Sequence, residues 1–242
     1  MTLPPQCINW LFGRGLSIEC NLSWSVPKEW RSLPREEQIG RIKNALNYEM
    51  GRPDVDCTAI AFFFELLMKH TATGWSSRLI TTNWDYLLQR QVMSLDLEVK
   101  PQWLSNSHVF HLNGTVDNKF TNEHSSPFLL EQDLATQRTL STEANKAFNH
   151  MMWDRKFVVV GMSFECETDK FLLSSLSHVA DDLPIGESDW IVVNPNQVAL
   201  TASCDRLKSA LPRATVRGVQ TTFSSWLAAQ LPELKTCGAI AF

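Results

Sequence analysis

Short apolar runs alternate with longer stretches of helical periodicity along the chain, and their spacing predicts six strands. These are Ile8 to Phe12, Leu79 to Thr82, His108 to Leu112, Phe157 to Val160, Trp190 to Val193 and Ala214 to Val219. Phe157-Val158-Val159-Val160 is apolar at every position rather than at alternate ones, which predicts a central strand covered on both faces. Between the strands, apolar residues recurring at three- and four-residue intervals predict helices over Arg35 to Met50, Thr58 to His70, Asp85 to Gln91 and Glu143 to Trp153. Further helices are predicted over Asp169 to Val179, Gln197 to Ala210 and Thr221 to Gln230. Alternation of this kind builds an α/β, Rossmann-like fold: a mostly parallel sheet with helices on both faces.

Two segments exceed what a simple crossover needs. About sixty positions separate the first two strands, so residues 18–77 are expected to form a helical insertion after the first strand. Residues 115–140, which follow Gly114 and contain Asn118, Asn122, Ser125, Ser126 and Pro127, read as an irregular loop followed by a helix. The 242 residues suit one domain with these two insertions, and there is no internal repeat.

Composition narrows the function classes. With a formal net charge of −4, the chain has no overall basic surface for a phosphate backbone, so nucleic acid is not an expected partner. No run approaches the roughly 20 apolar residues that span a bilayer. The first ten residues, MTLPPQCINW, lack the pattern of a secretory signal, and a cytoplasmic location is expected. Cys7, Cys20, Cys57, Cys166, Cys204 and Cys237 lie far apart with no CxxC pair, so neither a metal site nor a disulfide framework is expected. Nine tryptophans, among them Trp10, Trp24, Trp30, Trp75 and Trp84, suit either core packing or an aromatic interface.

The candidate chemistry collects at the ends of the strands. The first runs into Gly13-Arg14-Gly15-Leu16-Ser17, a turn in which glycines allow close backbone approach and amides can point at a pyrophosphate. The second ends in Thr82-Asn83-Trp84-Asp85, where Asn83 or Asp85 also suits the start of a helix. His111 and Asn113 close the third, Gly161 and Ser163 follow the fourth, and Asn194 follows the fifth. Each group is compatible with ordinary turn chemistry. Their recurrence at successive strand ends is the signal, because open α/β sheets bind ligands there.

These residues resemble motifs of the SIR2 (sirtuin-like) family. Gly13-Arg14-Gly15-Leu16-Ser17 is similar to its glycine-alanine-glycine-x-serine loop, with Arg14 in place of alanine. Thr82-Asn83-Trp84-Asp85 resembles its threonine-x-asparagine-x-aspartate motif, in the shorter form of bacterial SIR2-like antiphage defence domains. Gly161-Met162-Ser163-Phe164 resembles its glycine-x-serine loop, and Val193-Asn194-Pro195 its adenosine-side asparagine.

The resemblance implies NAD as ligand and cleavage of the nicotinamide N-glycosidic bond as chemistry. It puts Gly13, Gly15 and Ser17 near the pyrophosphate and ribose, with Arg14, Thr82 and Gly161 in the same binding loops. Asn83 would stand near the nicotinamide ribose, Asp85 would hold the loop, and Ser163 and Asn194 would serve the adenosine half. Two departures matter. The family's catalytic histidine precedes a glycine, and the residue before Gly114 is Asn113, which cannot titrate near neutral pH. His111 is the alternative, on the same side of the strand but about 6.5 Å away along it. The paired cysteines of the deacylases' zinc module are also missing, which disfavours an acyl-lysine peptide substrate. Two readings follow: an NAD glycohydrolase, or a catalytically silent domain that senses NAD or ADP-ribose or assembles with other copies or with an effector protein.

Overall fold

The strands are β1 (Cys7–Phe12), β2 (Ser76–Thr81), β3 (Val109–His111), β4 (Lys156–Val160), β5 (Asp189–Val193) and β6 (Thr215–Val219). A computed structural model, which describes residues 7–71, 76–94, 109–116, 128–130, 133 and 148–237, joins them in one six-stranded sheet. All neighbours are parallel and the order is β3-β2-β1-β4-β5-β6. Progress outward from β1 in one direction and from β4 in the other makes their junction the topological switch point. There the crossovers diverge and leave a crevice beyond the carboxyl ends of the strands.

The helices are α1 (Arg14–Glu19), α2 (Arg35–Met50), α3 (Thr58–Thr71), α4 (Leu87–Ser94), α5 (Glu167–Val179), α6 (Gln197–Ala210) and α7 (Phe223–Cys237). Successive side chains of a strand point to opposite faces, and here both faces are covered. Trp10, Phe12, Val158, Val160, Ile191 and Val193 share one cluster with Ile42 of α2, Phe63 of α3, Val92 of α4 and Trp226 of α7. Leu11, Phe157, Val159, Trp190 and Val192 share the other with Leu172 and Leu176 of α5 and Leu200 and Leu207 of α6. This double coverage explains the unbroken apolar run of β4, whose residues from Phe157 to Val160 are all buried. Neighbouring strands add ring contacts: Phe157 stacks on Trp190 with centroids 4.1 Å apart. Trp10 is a core residue, meeting Phe63 edge-on at 4.7 Å.

The α/β expectation with helices on both faces is met, and α2 and α6 run over the residues predicted. Differences lie at element ends. β2 begins earlier, at Ser76, and α4 begins at Leu87 rather than Asp85. Asp85 stands outside the helix and accepts a hydrogen bond from the Leu87 amide (3.2 Å) through Oδ1. The largest difference is α1, where a turn was expected and a six-residue helix is found. Tertiary contacts hold it. Leu16 and Ser17 are buried, and the Glu19 carboxylate accepts hydrogen bonds from the Phe223 and Ser224 amides, each at 2.8 Å. Those amides open α7, so Glu19 satisfies a helix start from across the fold.

Within 18–77 the structure has a 3-10 helix at Lys28–Ser32 as well as α2 and α3. Residues 148–151 are helical, while His108, Trp75, residues 117–127 and residues 143–147 lie outside the described residues. No helix among the described residues is long and apolar enough to cross a membrane.

Candidate functional site

A cavity of about 440 Å³ opens at the switch point, within the roughly 300–1,000 Å³ of small-molecule sites. Gly13, Arg14 and Ser17 line it from the β1 end, Thr82, Asn83 and Asp85 from the β2 end, Asn113 from the β3 end, and Gly161 and Ser163 from the β4 end.

The wall between β1 and β4 is backbone against backbone. The Gly13 amide donates to the Val160 carbonyl (2.9 Å), the Gly15 amide to the Gly161 carbonyl (2.8 Å) and the Gly161 amide to the Val193 carbonyl (3.1 Å). A Cβ on Gly15 would lie 2.4 Å from the Gly161 Cα, and one on Gly13 would lie 2.6 Å from the Met162 Cα. Gly161 also has φ of +59°, which a side chain resists. Phe164 adopts φ of +56° in the same loop without being glycine, a conformation that costs about 1 kcal/mol or more. These glycines therefore serve loop-on-loop contact. Gly15 faces Gly161 and does not line the cavity.

The opposite wall is a network of side chains. Asn83 Nδ2 donates to the Gly13 carbonyl (3.0 Å) and to Ser17 Oγ (2.9 Å), and Ser17 Oγ donates to Asp85 Oδ2 (2.7 Å). Both Asp85 oxygens are thus engaged, and burial pushes its carboxyl above the usual carboxylate range. Thr81 Oγ1 donates to the Phe12 carbonyl (3.0 Å) and accepts from the Asn83 amide (3.0 Å), fixing the turn that carries Asn83.

Asn113 is held on both sides of its amide. Its Nδ2 donates to the Thr82 carbonyl (2.8 Å), and its Oδ1 accepts from the Thr168 hydroxyl at the start of α5. His111 lies behind this layer and does not line the cavity. Its Nδ1 bonds the Asn83 carbonyl (3.0 Å) and its Nε2 contacts Gln89 Nε2. Burial lowers its pKa to about 4, so the ring is neutral near physiological pH. Asn194 is likewise outside the cavity: its Oδ1 accepts from the Asn196 amide (2.9 Å), an ordinary Asx turn ahead of α6.

The crevice is thus ringed by strand-end polar groups on a 3-2-1-4-5-6 sheet. No protein-family model matches the sequence, and no curated protein is detectably similar to it. A solved structure described as giving the basis for the mechanism and regulation of Sir2 enzymes does superpose. The match has a TM-score of 0.52 over 95% of this chain and 93% of that one, at 15% identity.

The fold is SIR2-like.

The SIR2-like frame brings most of the expected residues together, and the cavity adds others that the strand-end pattern did not mark. Arg31, Glu165, Cys166, Thr168 and Asp169 all line it. The last four sit where the β4 loop turns into α5. An acid in the first turn of a helix is common for electrostatic reasons, so Asp169 carried no distinguishing signal. Trp24 and Trp84 line the cavity as well; Trp84 stacks on Phe128 at 5.0 Å and donates Nε1–H to the Leu129 carbonyl (3.1 Å). Leu22, Val26 and Leu46 give that side an apolar surface suited to a planar ring. Among the described residues no cluster of three or more histidine, cysteine, aspartate or glutamate side chains is arranged to hold a metal ion.

Proposed function

We propose that this cavity binds NAD and that the chain cleaves its nicotinamide N-glycosidic bond, releasing nicotinamide and ADP-ribose. The observation that carries the reading is the Ser17-Asn83-Asp85 cluster, built from two strand ends and set at the switch point of the sheet. The SIR2-like fold and the sequence motifs support NAD as the dinucleotide. A positively charged nicotinamide supplies its own leaving group. The protein must hold the ribose, exclude bulk water and stabilise charge as it develops.

The residues divide that work. Gly13 and Gly161, each packed against the facing loop, bring main chain to the edge of the cavity where the pyrophosphate would lie, and Arg14 adds a cation at the same edge. Asn83 spends its Nδ2 on Gly13 and Ser17, which aims its Oδ1 for an attacking water or a ribose hydroxyl. Asp85, fixed by Ser17 and Leu87, offers a buried polar wall to the carboxamide end of the ligand. Ser163 lines the β4 side, where the adenosine half would lie.

A second reading, binding without turnover, is favoured by Asn113. Its amide is committed to Thr82 and Thr168 and has no proton to exchange at neutral pH. That reading makes the chain a sensor of NAD or ADP-ribose, or an assembly partner for its own copies or for an effector protein. Incubation of the purified protein with NAD, with free nicotinamide measured, separates the two. Cleavage predicts release by the wild type and a loss of about 100-fold in Asn83→Ala. Binding without any release supports the second reading.

A further inference from the structure

We propose that Asp169 is the proton acceptor of this site, taking the proton of the attacking water in the corner where Asn113 cannot. The proposal rests on the NAD-cleaving reading and is reached through the other ionisable groups that line the cavity. Arg14 and Arg31 present guanidinium groups, which are donors without an acceptor atom. Both oxygens of Asp85 are bonded, to Ser17 and Leu87. Glu165 is 63% exposed and paired with Arg206 at 2.9 Å. The Cys166 thiol is pushed up by burial and stays protonated. His111 is outside the cavity with both ring nitrogens engaged.

Asp169 is different. It lines the cavity, is only 4% exposed, and its buried Oδ1 has no hydrogen-bond partner among the described residues. A buried carboxyl oxygen without a partner costs free energy, and an incoming water or hydroxyl that donates to it relieves that cost. Its position is built. Thr82 ties Asn113 to its carbonyl and turns its side chain to the Asp169 carboxyl, while Thr168, the preceding residue, holds Asn113 by its oxygen. Asp169 and Asn113 therefore share one corner. Around the carboxyl stand the Thr82 hydroxyl, the Phe164 backbone and the Cys166 thiol, the last being its titratable neighbour. Burial raises the carboxyl's pKa, which makes it a stronger base than an exposed aspartate once ionised.

The step balances without a further reactant. As the water oxygen bonds the ribose C1′, the C1′–N bond breaks and its electron pair leaves with the now neutral nicotinamide. The water's proton passes to Asp169 and then to solvent.

The test is nicotinamide release as a function of pH for the wild type, Asp169→Asn and Asp169→Ala, the last with and without added formate. The expected result is a kcat lower by about 100-fold in Asp169→Asn with KM little changed, loss of the acid limb, and partial rescue of Asp169→Ala by formate. If Asp169→Asn keeps wild-type turnover and the same acid limb, the proposal is overturned while NAD cleavage stands. If Asp169→Asn does not fold, the formate response of Asp169→Ala decides: rescue supports the role and its absence overturns it. Wild-type binding with no release removes the catalytic role and leaves a binding domain. Wild-type protein that does not bind NAD at all overturns the underlying functional reading together with this one.

Discussion

Where β1 meets β4, the cavity wall is main chain packed on main chain through Gly13, Gly15 and Gly161; where β2 meets β3, it is side chain bonded to side chain through Ser17, Asn83, Asp85, Asn113 and Thr168. The first wall has no space for an added methyl. The second can exchange one side chain for another as long as its hydrogen bonds are met. Chemistry can therefore change on the β2–β3 side while the frame stays fixed on the other. The SIR2 resemblance implies a histidine at Asn113, and the amide found there bonds to Thr82 and Thr168 but cannot move a proton.

The largest effect should come from the backbone wall. Gly15→Ala places a Cβ 2.4 Å from the Gly161 Cα, and a cost of about 4 kcal/mol in urea unfolding is expected. Gly40→Ala, an exposed position of α2 with nothing within 4 Å, should instead add about 0.5–1 kcal/mol. An effect at Gly15 as small as that at Gly40 would show that the β1–β4 wall has room for an added methyl.

The next effect is a pH dependence. His111 has a folded pKa of about 4 against an ordinary 6.5, so the unfolded chain takes up its proton first as the pH falls. Stability is unaffected by this group above about 6.5 and drops by about 3 kcal/mol on the way to pH 4. Asp85 and Asp169, whose carboxyls are raised by burial, act with the opposite sign and gain relative stability as acid protonates them. Comparing His111→Gln with the wild type isolates the histidine: the variant should lose the steeper decline in that window. Parallel curves for the two proteins would mean that His111 is not buried neutral.

A smaller effect belongs to the side-chain wall. Thr168→Val removes the donor to Asn113 Oδ1 and should cost about 1–2 kcal/mol with the fold retained. A cost as large as that of Gly15→Ala would show that the two walls are equally rigid.

The main elements were legible because burial imposes periodicity: the apolar β4 run and the amphipathic α2 and α6 could not sit elsewhere. α1 was not, since Arg14–Glu19 is too short to show a period and contains Gly15. It exists through distant groups, Glu19 bonding the start of α7 and Ser17 bonding Asp85. In the site, the polar strand ends marked Gly13, Ser17, Thr82, Asn83, Asp85, Asn113, Gly161 and Ser163, all of which line the cavity. His111 and Asn194 bore the same marks and bond inward instead. Sequence order does not say which polar group turns to the crevice, and Asp169 reads as any acid in the first turn of a helix does.

Dinucleotide binding in the crevice between β1 and β4 is open to titration calorimetry of the wild-type protein with ADP-ribose and with NAD. Saturable one-to-one heat is expected with both ligands, weakened about tenfold or more in Asn83→Ala, where contacts to the ribose are lost. No heat with either ligand at millimolar concentration, from protein that unfolds cooperatively, would contradict it.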